Sequence, residues 1–115
     1  MNSRDDLNLD QIVELVDHIQ RRLEHMSQKH FMADRDEIDL AAFRLSAIGE
    51  ASRKLSDPLK ARHPQINWAG IYAMRNVIAH DYGRIDAERV WLVTQNQLDE
   101  LATVCRAEMK AADRG

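Results

Sequence analysis

Leu9 to Met26 reads LDQIVELVDHIQRRLEHM, and within it Leu9, Ile12, Leu15, Val16, Ile19, Leu23 and Met26 recur at steps of three and four. That period places them on one stripe of a helix, which is predicted to begin near Asp10. A second run of the same period follows in Ile38, Ala41, Ala42, Leu45, Ile48, Ala51 and Leu55. Asp34 or Asp36 supplies a side chain to cap its first turn, and the run ends before Pro58. The stretch SDPLKARHPQIN, residues 56–67, holds both prolines of the chain and reads as a connection with at most one short turn of helix.

Asn67 is a suitable N-cap for a third helix, in which Trp68, Ile71, Tyr72 and Ile78 keep the period as far as His80 before Tyr82 and Gly83 break it. Asp86 caps a fourth, carrying Val90, Trp91, Leu98, Leu101 and Val104 toward a charged end near Gly115. No run alternates with the period of two that a half-buried strand needs. The expectation is all-α: an antiparallel four- to five-helix up-and-down bundle, one domain over 1–115, with 1–6 and 110–115 flexible.

A chain of 115 residues suits one core and one site. Apolar residues at 44% and charged residues at 30%, with 4 Gly and 2 Pro, describe a soluble helix former rather than a disordered chain. The single cysteine, Cys105, has no partner for an internal disulfide or a thiolate metal cage, so the expected compartment is the cytoplasm. The start, MNSRDDLNLD, lacks the basic end and apolar run of a secretory signal, and no apolar stretch is long enough for a membrane. The net charge of −3 is unevenly spread: from Arg44 to Arg84 there are seven basic residues against three acidic. This basic middle suits either a phosphate-bearing partner or ordinary solvated helix surface.

The chemistry concentrates in MRNVIAHDYGR, Met74 to Arg84. Arg75 offers a planar, permanently charged fork of donors suited to phosphate. His80 exchanges a proton near neutral pH, Asn76 supplies a neutral donor and acceptor, and Tyr82 adds a phenol. Together these are the parts of a phosphodiester site that needs no metal. The same residues also suit a plainer role, with Arg75 snorkelling and His80 complementing a helix C-terminus. On an unbroken helix Arg75 and His80 diverge by about 140°. They converge only if the helix ends near Ala79 or if a two-fold axis brings two copies together.

These residues resemble the HEPN superfamily and, within it, the HepT-like toxins that accompany MntA-type minimal nucleotidyltransferase antitoxins. Arg75, Asn76 and His80 match the superfamily's Arg, polar residue and His; Arg75, His80 and Tyr82 match the HepT-like Arg, four residues, His, any residue, Tyr. FRLSAIGEASRKLS from Phe43, PQINWAGIYAMRNVIAHDYGRID from Pro64 and VWLVTQNQLDEL from Val90 are similar to the family's second helix, active-site segment and last helix.

The resemblance implies the toxin of a type VII-like toxin–antitoxin pair: a homodimer acting as a metal-independent RNA endonuclease without cofactor, its composite site holding Arg75, Asn76 and His80. It implies that the antitoxin silences it by transferring AMP to Tyr82. An alternative within the superfamily is a non-catalytic module that binds nucleotide or RNA beside a nucleotidyltransferase. Asp81, adjacent to His80, either raises the histidine's pKa or repels phosphate, depending on where it points.

Other residues invite plainer readings. His18, His25, His30 and His63 lack the helical spacing of a zinc pair and read as solvated. Trp68 and Trp91, on apolar stripes, read as core or interface anchors, and Met26, Met32, Met74 and Met109 as filler. Gly49, costly inside a helix, suggests that another helix approaches closely there.

Overall fold

The computed structural model describes residues 3–76 and 86–114. Among these, all regular structure is helical: α1 (Ser3–Leu23), α2 (Gln28–Ala33), α3 (Arg35–Arg53), α4 (Asp57–Ala61), α5 (Trp68–Ala73), a 3-10 turn at Met74–Asn76, α6 (Ala87–Asn96) and α7 (Leu98–Arg114). The bundle is all-α as the periodicity predicts, but its chain is cut into more segments than four or five.

Three long helices make the frame. The stripe read from the sequence, Leu9, Ile12, Val16, Ile19 and Leu23, is buried on α1, and α1 packs against both α3 and α7. Side-chain bonds give the directions. Arg22 near the end of α1 donates to Glu37 near the start of α3, while Asp5 near the start of α1 accepts from Ser56 just beyond α3. Gln20 likewise donates to Asp99 at the start of α7, and Arg106 further along α7 donates to Asp17. Both α3 and α7 therefore run antiparallel to α1.

The caps explain where most elements begin. Asp34 Oδ1 accepts from the amides of Asp36 at 3.0 Å and Glu37 at 3.4 Å, fixing Asp34 as the cap of α3. Asn67 Oδ1 accepts from Gly70 at 3.1 Å and Asp86 Oδ1 from Arg89 at 3.1 Å, as expected for α5 and α6. α1 starts seven residues earlier than its apolar stripe indicated, with Asp5 and Asp6 in its first turn, where they complement the helix dipole. α2 had no signal in the apolar period; Ser27 caps it, and its buried Phe31 sets its ring 5.2 Å from that of Trp91 on α6.

Two elements differ from the expected pattern within the described residues. The anticipated fourth helix divides at Gln97, where the Asn96 side-chain Nδ2 donates back to Leu92 O at 3.0 Å and the Thr94 hydroxyl to Trp91 O at 2.6 Å. Such back-bonding competes with the helical ladder. The third helix stops being α-helical after Ala73 and tightens into the 3-10 turn; its expected continuation to His80 lies outside the described residues.

Candidate active site

The 3-10 turn at Met74–Asn76 carries Arg75 and Asn76 and is held by α3. Gly49 of α3 lies so close that a Cβ there would stand 2.7 Å from Arg75 N and 2.9 Å from Ile71 O, distances real carbon atoms do not tolerate. The close approach suggested by a glycine inside a helix is thus present, and its partner is the backbone bearing Arg75. One turn earlier on α3, the Ser46 hydroxyl donates to Arg75 O at 2.9 Å, occupying a carbonyl at the helix end. Met74, buried to 4% exposure, anchors the turn from below.

Arg75 itself points outward. Its side chain is 44% exposed, and Nη1 stands 3.8 Å from Glu50 Oε2. Glu50 has a nearer partner in Arg53, whose Nη2 donates to Oε1 at 2.6 Å. That hydrogen bond holds the Glu50 carboxyl below its ordinary range against the opposing effect of burial, with the charges of Arg53, Lys54 and Arg75 adding to it. Glu50 is therefore an anion at neutral pH that Arg75 touches loosely and from one side. Among the described residues nothing else engages the guanidinium fork, whose bidentate geometry is well suited to a phosphate.

Asn76 lies on the rim of a cleft of about 370 Å³ between the turn and α6, which also takes in Met74, Arg89, Val90, Val93 and Gln97. His80 and Tyr82, the other two expected site residues, lie outside the described residues, as does Asp81. The structure thus brings Arg75 and Asn76 together on one pinned turn. It adds Ser46 and Glu50, which sequence reasoning passed over; the only signal for them was their position flanking Gly49, one turn apart on the same helix.

Part of the basic middle segment is engaged within the fold. Arg53 binds Glu50, Lys60 lies 4.8 Å over the Tyr72 ring, and Arg62 donates at 2.6 Å to Glu108 of α7.

The remaining candidates resolve differently. His63 is not solvated: its side chain is 17% exposed and Nε2 lies 2.6 Å from Glu108 Oε2. Arg62 and then His63 hold the Glu108 carboxyl below its usual range against the cost of burial. His18 lies 3.7 Å from Glu14, and His25 is 92% exposed. Among the described residues no three His, Cys, Asp or Glu side chains are grouped to hold a metal ion, and no helix is long and apolar enough to cross a membrane. Trp91 is core; Trp68 is partly buried, its Nε1 donating to the carbonyls of Lys60 at 3.2 Å and His63 at 3.1 Å, which ties the connection to the start of α5.

Comparison with known proteins places this geometry in context. A family model described as Ribonuclease HepT-like matches residues 12–108. The chain is 26% identical over 93 residues to the protein named "Probable ribonuclease HepT" of Thermococcus cleftensis, covering 81% of this chain and 84% of that one. It is 28% identical over 91 residues to "Putative RNase MJ1216" of Methanocaldococcus jannaschii, covering 78% and 74% of the two chains. A second protein of that organism, "Putative RNase MJ1380", is 28% identical over 57 residues, half of this chain and 52% of its own length. No solved structure matches.

Proposed function

Because the chain belongs to the HepT-like ribonuclease family, we propose that it is a cytoplasmic RNA endonuclease toxin that works without a metal ion, as a homodimer, with Arg75, Asn76 and His80 in its site. The observation that carries this reading is Arg75: an arginine of the family motif set on a turn pinned by Ser46 and Gly49, with its fork largely open. An arginine serving only as a surface ion pair would not need its backbone held this way.

In the proposed reaction the ribose 2′-oxygen attacks the adjacent phosphorus while the bond to the 5′-oxygen breaks. His80 takes the proton from the 2′-hydroxyl or returns one to the leaving oxygen. Arg75 stabilises the negative charge that grows on the phosphorane, and Asn76 orients the phosphate or the imidazole. The products are a 2′,3′-cyclic phosphate and a free 5′-hydroxyl, and a deoxy substrate, having no internal nucleophile, is left intact.

Control follows from the same motif. A nucleotidyltransferase antitoxin transfers AMP from ATP to the Tyr82 oxygen with release of pyrophosphate. The added group is a bulky anion two residues from His80, where it opposes substrate phosphate by charge and volume.

The purified protein is expected to cleave single-stranded RNA in EDTA and to leave DNA untouched, and His80→Ala is expected to remove the activity. Cleavage that survives His80→Ala ends the catalytic assignment. Intact RNA after long incubation, with nucleotide still bound, turns the reading to the non-catalytic binding module. Mass spectrometry after coexpression with the antitoxin checks for an AMP adduct on Tyr82.

A further inference from the structure

The cleft beside Asn76 has the construction of a nucleobase pocket. Its floor is aliphatic, made by Leu45 of α3, Met74 of the turn and Val90 and Val93 of α6. Its polar lining comprises Asn76, Arg89 and Gln97 together with the capping side chains of Asn67 and Asp86. The volume of about 370 Å³ falls within the range of roughly 300–1,000 Å³ typical of small-ligand sites, which share this pattern of apolar lining and few polar groups.

Asn67 and Asp86 are spent on the caps of α5 and α6, but three polar side chains of the lining are not used by the described fold. Among the described residues, the side chains of Asn76, Arg89 and Gln97 make no hydrogen bond or ion pair, although the backbone amides of Arg89 and Gln97 are bonded, to Asp86 Oδ1 and Val93 O. Arg53 and Arg62 are each paired closely with a carboxylate, whereas among the described residues Arg89 is not. A carboxamide presents a donor and an acceptor side by side, the pattern that pairs with the edge of a base. Unpaired bases splayed from single-stranded RNA are recognised in this way, with one face on side chains and one edge on hydrogen bonds.

We propose that this cleft takes one unpaired base of the RNA substrate, with the aliphatic floor against its face and Gln97 reading its edge, so that cleavage is biased toward one nucleotide. The proposal rests on the nuclease reading for its substrate. Asn76 links the two sites: it neighbours Arg75 in the chain and lines the cleft, so a base seated there sets which phosphate reaches Arg75.

The test has two arms. In the first, oligoribonucleotides that differ at one position are cut by the wild type, by Gln97→Ala and by Val93→Trp, which fills the floor. The wild type is expected to prefer one base by about tenfold or more, as a good base-edge contact provides. Both variants are expected to bring that preference to within about twofold of even, read as the ratio of cleavage rates among the four substrates, whatever the change in total rate. Equal cutting at all four bases by the wild type, or an unchanged preference in both variants, overturns the proposal and leaves the nuclease intact.

In the second arm, methyl NMR of the wild type follows Val90, Val93 and Leu45 during titration with the four nucleoside 5′-monophosphates and with ribose 5-phosphate. Shifts at these methyls with a nucleotide but not with the sugar phosphate support the pocket, even in a protein that cuts no RNA, in which case only the nuclease reading fails. No shift with any nucleotide, or the same shift with ribose 5-phosphate, overturns it.

Discussion

Gly49 ties stability to chemistry through a single missing carbon. Any side chain there meets backbone atoms of Ile71 and Arg75, which move only if the 3-10 turn moves. Gly49→Ala is expected to lose about 1–3 kcal/mol, the cost of overpacking a close contact, despite alanine's better helix propensity. It is also expected to lower RNA cleavage more than RNA binding. Urea denaturation and single-turnover cleavage check the two effects. Cys105 illustrates the opposite case, a reactive group made inert. It is fully buried, and burial pushes its thiol up to about 12, with Arg106 opposing and Glu108 adding. Iodoacetamide is expected to leave it unmodified in the native protein at pH 8 and to alkylate it only in denaturant, as intact-mass measurement would reveal.

Caps and close contacts, more than propensity, decide where the helices begin and end. Asp34 closes α2 at its C-terminus and opens α3, so one side chain organises two elements with no linker between them. Asp34→Ala is expected to lower stability by about 1 kcal/mol, and Asp34→Asn by much less, since asparagine caps nearly as well; thermal melts compare the two. α4 is bounded differently. Ser56, at its N-cap, makes no cap bond of its own; its hydroxyl and amide both go to the buried carboxylate of Asp5 on α1, at 2.6 and 2.9 Å. The short α5 depends on Asn67 and Trp68 at its start, and α3 holds the 3-10 turn that follows it.

Long-range polar contacts close the bundle at both ends of α1. Asp5 reaches Ser56 at one end, Arg22 reaches Glu37 at the other, and Arg62 and His63 reach Glu108 on α7. The Glu108 carboxyl is held below its ordinary pKa, so its contribution to stability is complete above the ordinary carboxylate range near ~4.3 and is lost as pH falls through and below it. Wild-type protein is expected to lose thermal stability over that acid range, and Glu108→Gln, less stable at pH 7, to show a shallower loss. Parallel melts from pH 7 to 3 decide this. Overlapping curves for the two proteins would remove Glu108 from the acid response.

The apolar period of the chain contained the helical class, the buried stripe of α1, the core face of α3 and the caps Asp34, Asn67 and Asp86, because these depend on residues a few positions apart. The motif Arg75, Asn76, His80 and Tyr82 was also visible as a string of residue types. What Arg75 touches was not: Gly49 and Ser46 lie 26 and 29 positions before it, and nothing local announces that they grip its backbone. The pairing of Arg62 with Glu108, the burial of His63 and the cleft between the turn and α6 are likewise products of packing. Distance in space between residues remote in the chain is fixed only when the helices pack, and it decides which charges meet, which hydroxyls are spent and which side chains stay free for a ligand.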